Sequence, residues 1–378
     1  MPRRLMRCAV PLCVFLAGLL AGQLPLAPSL AHVSTASAWS ATVPEEVVRQ
    51  ASSARLGRDA ALADVSGVSG TAVWAVGQTG LWDVWRNRGI VTRWNGASWT
   101  EVPTRGDATG AGPLRSVSAV SDNEVWVVGD GHDGVPYVGR GGGSGIDRVV
   151  VPQVRAGDWL RAVAAEPGKA VIVGSRGGRV LVVTSGPAWK VHEGPDGVLH
   201  GVALRGKDGW AVGNNGDEPL ILRMSGGAWK PVSLPGVEGG YLRDVYITSA
   251  RRAVAVGGVF TEDGTTLPLI LRWDGRKWHR ETLPGGDAEL YGVTGDGKGG
   301  YWASGYDAER PGEAFLLRYT DKKWKPLRGE AGTGDRSVRL QAVVRADDMT
   351  MAVGHVLADD HYRDLVETFG PAAGSPVR

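Results

Sequence analysis

Seven positions that follow a leucine recur along the chain, and five of them carry groups that bind anions or move protons: Ala63, Arg115, Arg161, His200, Arg243, Tyr291 and Gln341. Three guanidiniums and an imidazole gathered at one place would hold a carboxylate, sulfate or phosphate, because a guanidinium offers two parallel donors to two anionic oxygens. The plainer reading is that Asp64, Asp244 or acids of neighbouring repeats pair with the arginines and cement one repeat to the next. A second register, one residue past a recurrent glycine, reads Gln78, Asp130, Ser175, Asn214, Gly258, Tyr306 and His355. Acid-rich loops follow it, with His132, Asp133, Asp217, Glu218, Asp307, Glu309, Asp359, Asp360 and His361. Oxygens in that number would suit calcium or magnesium. No D-x-D-x-D loop of fixed spacing is present, so solvated loop polarity explains them better, and neither a metal nor a cofactor is assigned.

Fifteen tryptophans form a third group. Twelve recur at fixed places in the repeat and read as packing: Trp74, Trp126, Trp210 and Trp302 each fall three residues before the recurrent glycine. The remaining three, Trp82, Trp85 and Trp159, lie in connections. Aromatic side chains that packing does not need suggest a platform for sugar rings or apolar side chains. They would otherwise simply seal their own loops. The chain has no H-E-x-x-H, G-x-S-x-G, paired C-x-x-C or phosphate loop.

Two anchors position these groups. L-x-x-V recurs from Leu62/Val65 to Leu340/Val343, and a glycine follows 14 or 15 residues after each leucine, at Gly77, Gly129, Gly174, Gly213, Gly257, Gly305 and Gly354. Successive glycines are 39 to 52 residues apart. Short alternating runs at such a period are the pattern of propeller blades, four-stranded sheets that bury their faces only against one another. Strand A carries L-x-x-V, B the run into the glycine, C an apolar run, and D opens on Trp. Turns such as Asn95-Gly96 and Asp274-Gly275 should set Trp94 opposite Trp99, Met224 opposite Trp229, Trp273 opposite Trp278 and Tyr319 opposite Trp324. The fold class is all-β, a seven-bladed β-propeller. Strand A is innermost in such a ring. The residues after each leucine should therefore gather at the channel mouth, on the face that also carries the B-to-C and blade-linking connections.

The runs L-R-D-V, A-V-G and G-x-x-W resemble the WD-like and sialidase-repeat-like propellers of exported bacterial proteins, in particular the propeller of the photosystem II assembly factor. The resemblance covers the whole mature chain as a repeat pattern and implies the fold. SGGAWKP and WDGRKWHR depart from the sialidase box S-x-D-x-G-x-T-W, so sialidase chemistry is not carried over.

Arg3, Arg4 and Arg7 precede an apolar run and then small residues, which reads as a secretory signal over residues 1–31. The propeller is expected over 32–370 and a tail over 371–378. Both cysteines, Cys8 and Cys13, fall in the signal, so the exported chain would hold together without disulfides. Its 39 basic and 40 acidic residues give no support for nucleic-acid or anionic-membrane binding. The last repeat lacks a Trp-led strand. Residues 39–44 resemble 99–103, so an N-terminal segment is expected to supply strand D of blade 7 and pair Trp39 with Phe369. Residues 45–56 read as a short helix. The expected function is that of a secreted, monomeric recognition module for a glycan, peptide or protein, held on the face of Trp82, Trp85 and Trp159. The competing reading is a lyase or glycan hydrolase working at the channel mouth.

Overall fold

The computed structural model describes residues 48–370 except 58, 84–86, 107–110, 284 and 330–333. Among them the secondary structure is all β, in seven small sheets. Blades 1, 3, 4, 5 and 6 each run A-B-C-D in chain order, as in blade 5 with Gly240–Ser249, Arg252–Phe260, Thr266–Trp273 and Trp278–Arg280. Blade 2 adds a fifth, two-residue strand, Thr104–Arg105, parallel to its outermost strand Gly145–Arg148. All four expected cross-strand pairs form. Trp94 faces Trp99, Met224 faces Trp229, Trp273 faces Trp278 and Tyr319 faces Trp324.

A regular strand alternates its side chains, so residues three apart, such as Leu242 and Val245, should face opposite ways. Both are nevertheless buried in one cluster against Trp210 and Val212 of the preceding blade. The reason is a β-bulge. Pairing with strand B jumps from Leu242 to Asp244 and leaves Arg243 as the extra residue, which resets the alternation. The same jump follows the leucine in all seven blades. L-x-x-V is therefore the sequence form of a bulged inner strand.

The anchor glycine faces that leucine in every blade, as Leu160 faces Gly174 and Leu199 faces Gly213. A Cβ on any of the seven would run into the backbone carbonyl of the residue before the leucine: Ala61, Pro113, Trp159, Val198, Tyr241, Glu289 or Arg339. The bulge presses that carbonyl against strand B, and only glycine leaves room for it.

Seven apolar clusters occupy the seven blade junctions, including blade 7 against blade 1 through Met351, Val353, Val366, Leu62 and Val73. The ring closes, as expected, on an N-terminal strand. That strand is Val48–Ser52, however, which pairs antiparallel with His361–Gly370 and sets Arg49, not Trp39, opposite Phe369. Residues 39–44 lie outside the described residues, and the helix expected over 45–56 is not what forms at 48–52. The choice is explained by Asp364, whose buried carboxylate accepts from Ser53 Oγ at 2.9 Å, Ala54 N–H at 2.5 Å and Leu56 N–H at 3.2 Å. Three donors on one carboxylate fix where the chain leaves the closing strand.

Candidate functional site

The inner strands of all seven blades line a central channel of about 730 Å³. Because each bulge residue stands unpaired in its ladder, its side chain is freed toward the channel. Arg115, Arg161, His200, Arg243, Tyr291, Gln341 and Ala63 all line it. They sit near the start of strand A, and topology places the B-to-C and blade-linking connections at that same end.

The arginines are not equivalent. Arg115 forms a two-pronged ion pair with Asp130 of its own blade, one contact being 2.6 Å. Arg243 donates to Glu289 of the next blade at 3.1 Å, and the Tyr241 hydroxyl donates to the same oxygen at 2.6 Å. Arg161 shows neither hydrogen bond nor ion pair among the described residues. It lies over the Trp159 ring at 4.5 Å, and Arg115 approaches that ring at 5.8 Å. Burial, then Arg115 and Arg243, lower the Arg161 guanidinium to about 10, which leaves it cationic at neutral pH. Arg339, one residue before its leucine, donates to the Tyr291 hydroxyl at 2.7 Å and stacks on Tyr306 at 4.1 Å. Burial, then Glu289, raises the Tyr291 hydroxyl, so it stays protonated.

Pairing of arginines with Asp64 and Asp244 is not what forms. Asp64 accepts from its neighbour Val65 N–H at 2.8 Å and from Val117 N–H of the next blade at 2.9 Å. Asp244 does the same with Val245 at 2.7 Å and Val293 at 2.8 Å. Ser116 plays this part between blades 2 and 3, donating no charge but accepting from Val163 N–H at 3.1 Å. The carboxyls thus do join blades, through backbone amides. Burial pushes Asp64 up to about 6 and Asp244 up to about 7, the backbone donors opposing it and the charge of Asp64 adding to the rise at Asp244.

A raised carboxyl favours the fold when protonated, so its contribution is full below about pH 4 and is lost as pH rises through 6 to 7. Asp244→Asn removes that dependence. The variant should be less stable than the parent at pH 4.5, having exchanged an acceptor for a donor, and its deficit should shrink by about 3 kcal/mol at pH 8 in urea unfolding. A deficit independent of pH would show that Asp244 does not titrate in this range.

The glycine-following register serves the bulge residues. Asp130 holds Arg115 and Asn214 Oδ1 is hydrogen-bonded with His200 Nε2 at 2.9 Å, while Tyr306 underlies Arg339, the residue before its leucine. Part of the acidic rim is likewise engaged: Asp133 with Arg148 at 2.7 Å, Asp307 with Arg328, and His361 with Asp59 at 3.1 Å. Among the described residues no three His, Cys, Asp or Glu side chains converge as a metal site would require.

Of the off-pattern tryptophans, Trp82 is 63% exposed and rests on Tyr362 at 5.4 Å, and Trp159 is 39% exposed. Trp82 belongs to the B-to-C connection of blade 1 and lies at the junction of blades 7 and 1, whereas Trp159, expected in the link between blades 2 and 3, is instead part of the inner strand Asp158–Glu166, directly before Leu160 and beside the arginines. Trp85 lies outside the described residues. Sequence reasoning missed Tyr241, Glu289 and Arg339, which occupy the position before the leucine, and Phe260, 62% exposed and stacked on Tyr241 at 4.7 Å. The position before the leucine recurs in every copy, so these residues were findable once the bulge was recognised.

Solved structures share this ring. A structure described as "YCF48 bound to D1 peptide" superposes with a TM-score of 0.61 at 16% identity, covering 89% of this chain and 99% of that one. The chain has the fold of the YCF48 and WD40 propellers. YCF48 from Cyanidioschyzon merolae gives 0.55 at 14% identity over 85% of this chain and 98% of the other. The WD40 propeller domain of Doa1 gives 0.55 at 12% identity over 83% and 94%. No protein-family model and no curated protein matches the chain. At these identities the likeness concerns the propeller itself. The residues of the channel mouth must be read from this chain.

Proposed function

We propose that the chain is an exported recognition module that binds a carboxylate-bearing peptide or protein segment at the bulge-face mouth of its channel. The observation that carries this reading is Arg161. It is a cation without an acidic partner among the described residues, flanked by Arg115 and Arg243 and backed by the half-exposed Trp159 ring. A part-buried guanidinium without an ion pair leaves donors for a ligand's anion to take up, and the aromatic face beside it suits the apolar part of the same residue. The D1 peptide on YCF48 supports a peptide over a glycan.

A lyase or glycan-hydrolase reading draws on the raised carboxyls of Asp64 and Asp244. Each is committed to two backbone amides, one of them in the next blade, which leaves it poorly placed to move protons to a ligand.

A panel of immobilised acidic peptides, their amide counterparts and neutral glycans tests the proposal. Acidic peptides should be retained, with retention falling as salt rises, and Trp159→Ala should weaken it about five- to thirty-fold, the loss of roughly 1–2 kcal/mol of aromatic contact. Retention of neutral glycans in preference to acidic peptides would count against it.

A further inference from the structure

We infer that the end of the ring opposite the bulges is a docking surface for an anionic phospholipid bilayer. The 39 basic and 40 acidic residues of the exported chain balance only in sum. Strands of a blade alternate in direction, so the A–B and C–D turns gather at the end away from the bulges. In blade 5 these turns and the residues flanking them carry Arg251, Arg252, Arg276 and Lys277. Blade 4 adds Arg205 and Lys207, and blade 6 adds Lys298, Lys322 and Lys323. All nine are exposed, and none forms an ion pair among the described residues.

Four acids share these turns, and each is already engaged: Asp208 with Arg223 at 3.6 Å, Asp274 with His279 at 2.7 Å, Asp321 with Lys325 at 3.0 Å, and Asp296 with the backbone amides of Lys298, Gly299 and Gly300. The described turns of blades 1, 2 and 7 at this end carry no cation, so the charge occupies one sector. One position keeps its charge against backbone preference. The two-residue C–D turn of blade 4 is Gly226-Gly227, whereas blade 6 sets Asp321 and Lys322 there, at φ of 52° and 61°. Glycine adopts such angles without strain, and lysine does not.

Between the two turns of blade 6 is a hollow of about 400 Å³, lined by Gly299, Gly300, Trp302, Arg318 and Lys322. Arg93, Arg140, Arg223 and Arg272 stand in the same register of their own strands as Arg318, and all four are ion-paired. Arg318 forms no ion pair among the described residues and lies over the Trp302 ring at 5.5 Å. A headgroup phosphate seated in the hollow would find Arg318 and Lys322. Asp296 also lines it, with one oxygen given to the three amides of its own turn.

The way the chain enters the ring favours a bilayer over a soluble polyanion. Val48 pairs with Gly370 at the end opposite the bulges, so the apolar run read as an export signal joins the propeller at its basic end. Cations on the turn tips of three successive blades address many headgroups at once, each adding a screened attraction. A ring docked in this way leaves the bulge face turned to solution, so the inference does not depend on what the mouth binds.

The test is sedimentation of the exported chain, residues 32–378, with phosphatidylcholine vesicles containing either none or about 30% phosphatidylglycerol, at about 0.1 M salt. The anionic vesicles should bind and the neutral ones should not, and about 0.5 M salt should release the protein. Arg251→Glu/Arg276→Glu should weaken binding at least ten-fold. Lys207→Glu/Lys298→Glu, in the two neighbouring blades, should do the same. Arg155→Glu/Arg363→Glu, an equal charge change on exposed residues toward the bulge end, should bind within three-fold of the parent. No binding to the anionic vesicles, equal binding to the neutral ones, or an equal loss in the bulge-end variant would overturn the assignment. Retention on duplex DNA at a salt concentration that releases the vesicles would give the surface to a nucleic acid and overturn it as well.

Discussion

Gly174→Ala should destabilise the propeller by about 3 kcal/mol or more, although the substitution adds a single methyl group to a strand. Alanine normally suits a strand no worse than glycine, and the Gly174 backbone is in an ordinary strand conformation. The difference lies in what the methyl meets: the Trp159 carbonyl oxygen, with Leu160 Cα just behind it. Backbone cannot rotate aside as a side chain does, so relief requires flattening the bulge. Flattening would return Leu160 and Val163 to opposite faces and pull one of them from the junction between blades 2 and 3. Gly236→Ala is the control, since Gly236 is exposed with nothing near the added atom, and should change stability by less than about 0.5 kcal/mol. Urea unfolding of the two variants checks the contrast. Equal, small effects would show that the glycines do not hold the bulges.

Asp364→Ala should be comparably damaging through a different cause. The carboxylate is buried and receives three donors from the segment that follows the closing strand. Removing it leaves the Ala54 and Leu56 amides without their acceptor, at roughly 1–3 kcal/mol for each buried group. The closing strand would then detach from Val366–Gly370 and bare a strand edge, which invites pairing between molecules. The expected result is a lowered unfolding midpoint together with concentration-dependent association in analytical ultracentrifugation. Asp364→Asn, which keeps one acceptor oxygen, should fall between. A monomeric Asp364→Ala protein of unchanged stability would mean that closure does not depend on this clamp.

The blade count and the aromatic hairpin pairs were legible in the sequence because both depend on local spacing. Trp273 and Trp278 face each other across a turn of four residues, and nothing distant can alter that. The closing strand was misplaced because its signal is not local. Residues 39–44 carry the tryptophan and proline of a typical strand D, whereas Val48–Ser52 has neither. What selects the latter is Asp364, more than 300 residues away in the chain. At the mouth, the bulge residues could be named from the repeat, yet their partners could not. Arg115, Arg161 and Arg243 occupy one register, and only the acids near them, Asp130 and Glu289, separate two ion-paired arginines from Arg161, which has no ion pair among the described residues. The fates of Asp64 and Asp244 were hidden for a related reason. Their partners are backbone amides, one of the following residue and one of the next blade, which every residue but proline possesses and no sequence pattern advertises.

The channel has two ends, and the bulges distinguish them. Arg161 stands at the bulge end, and Arg345, bonded to Thr350 and the Asp348 side chain and lying over Trp302, stands toward the other. The most direct measurement is calorimetric titration of the tightest acidic peptide from the panel into Arg161→Ala and Arg345→Ala. Arg161→Ala should weaken binding at least ten-fold with the unfolding midpoint unchanged or raised, and Arg345→Ala should bind within two-fold of the parent. Equal affinity in Arg161→Ala, or a loss confined to Arg345→Ala, would contradict recognition at the bulge face.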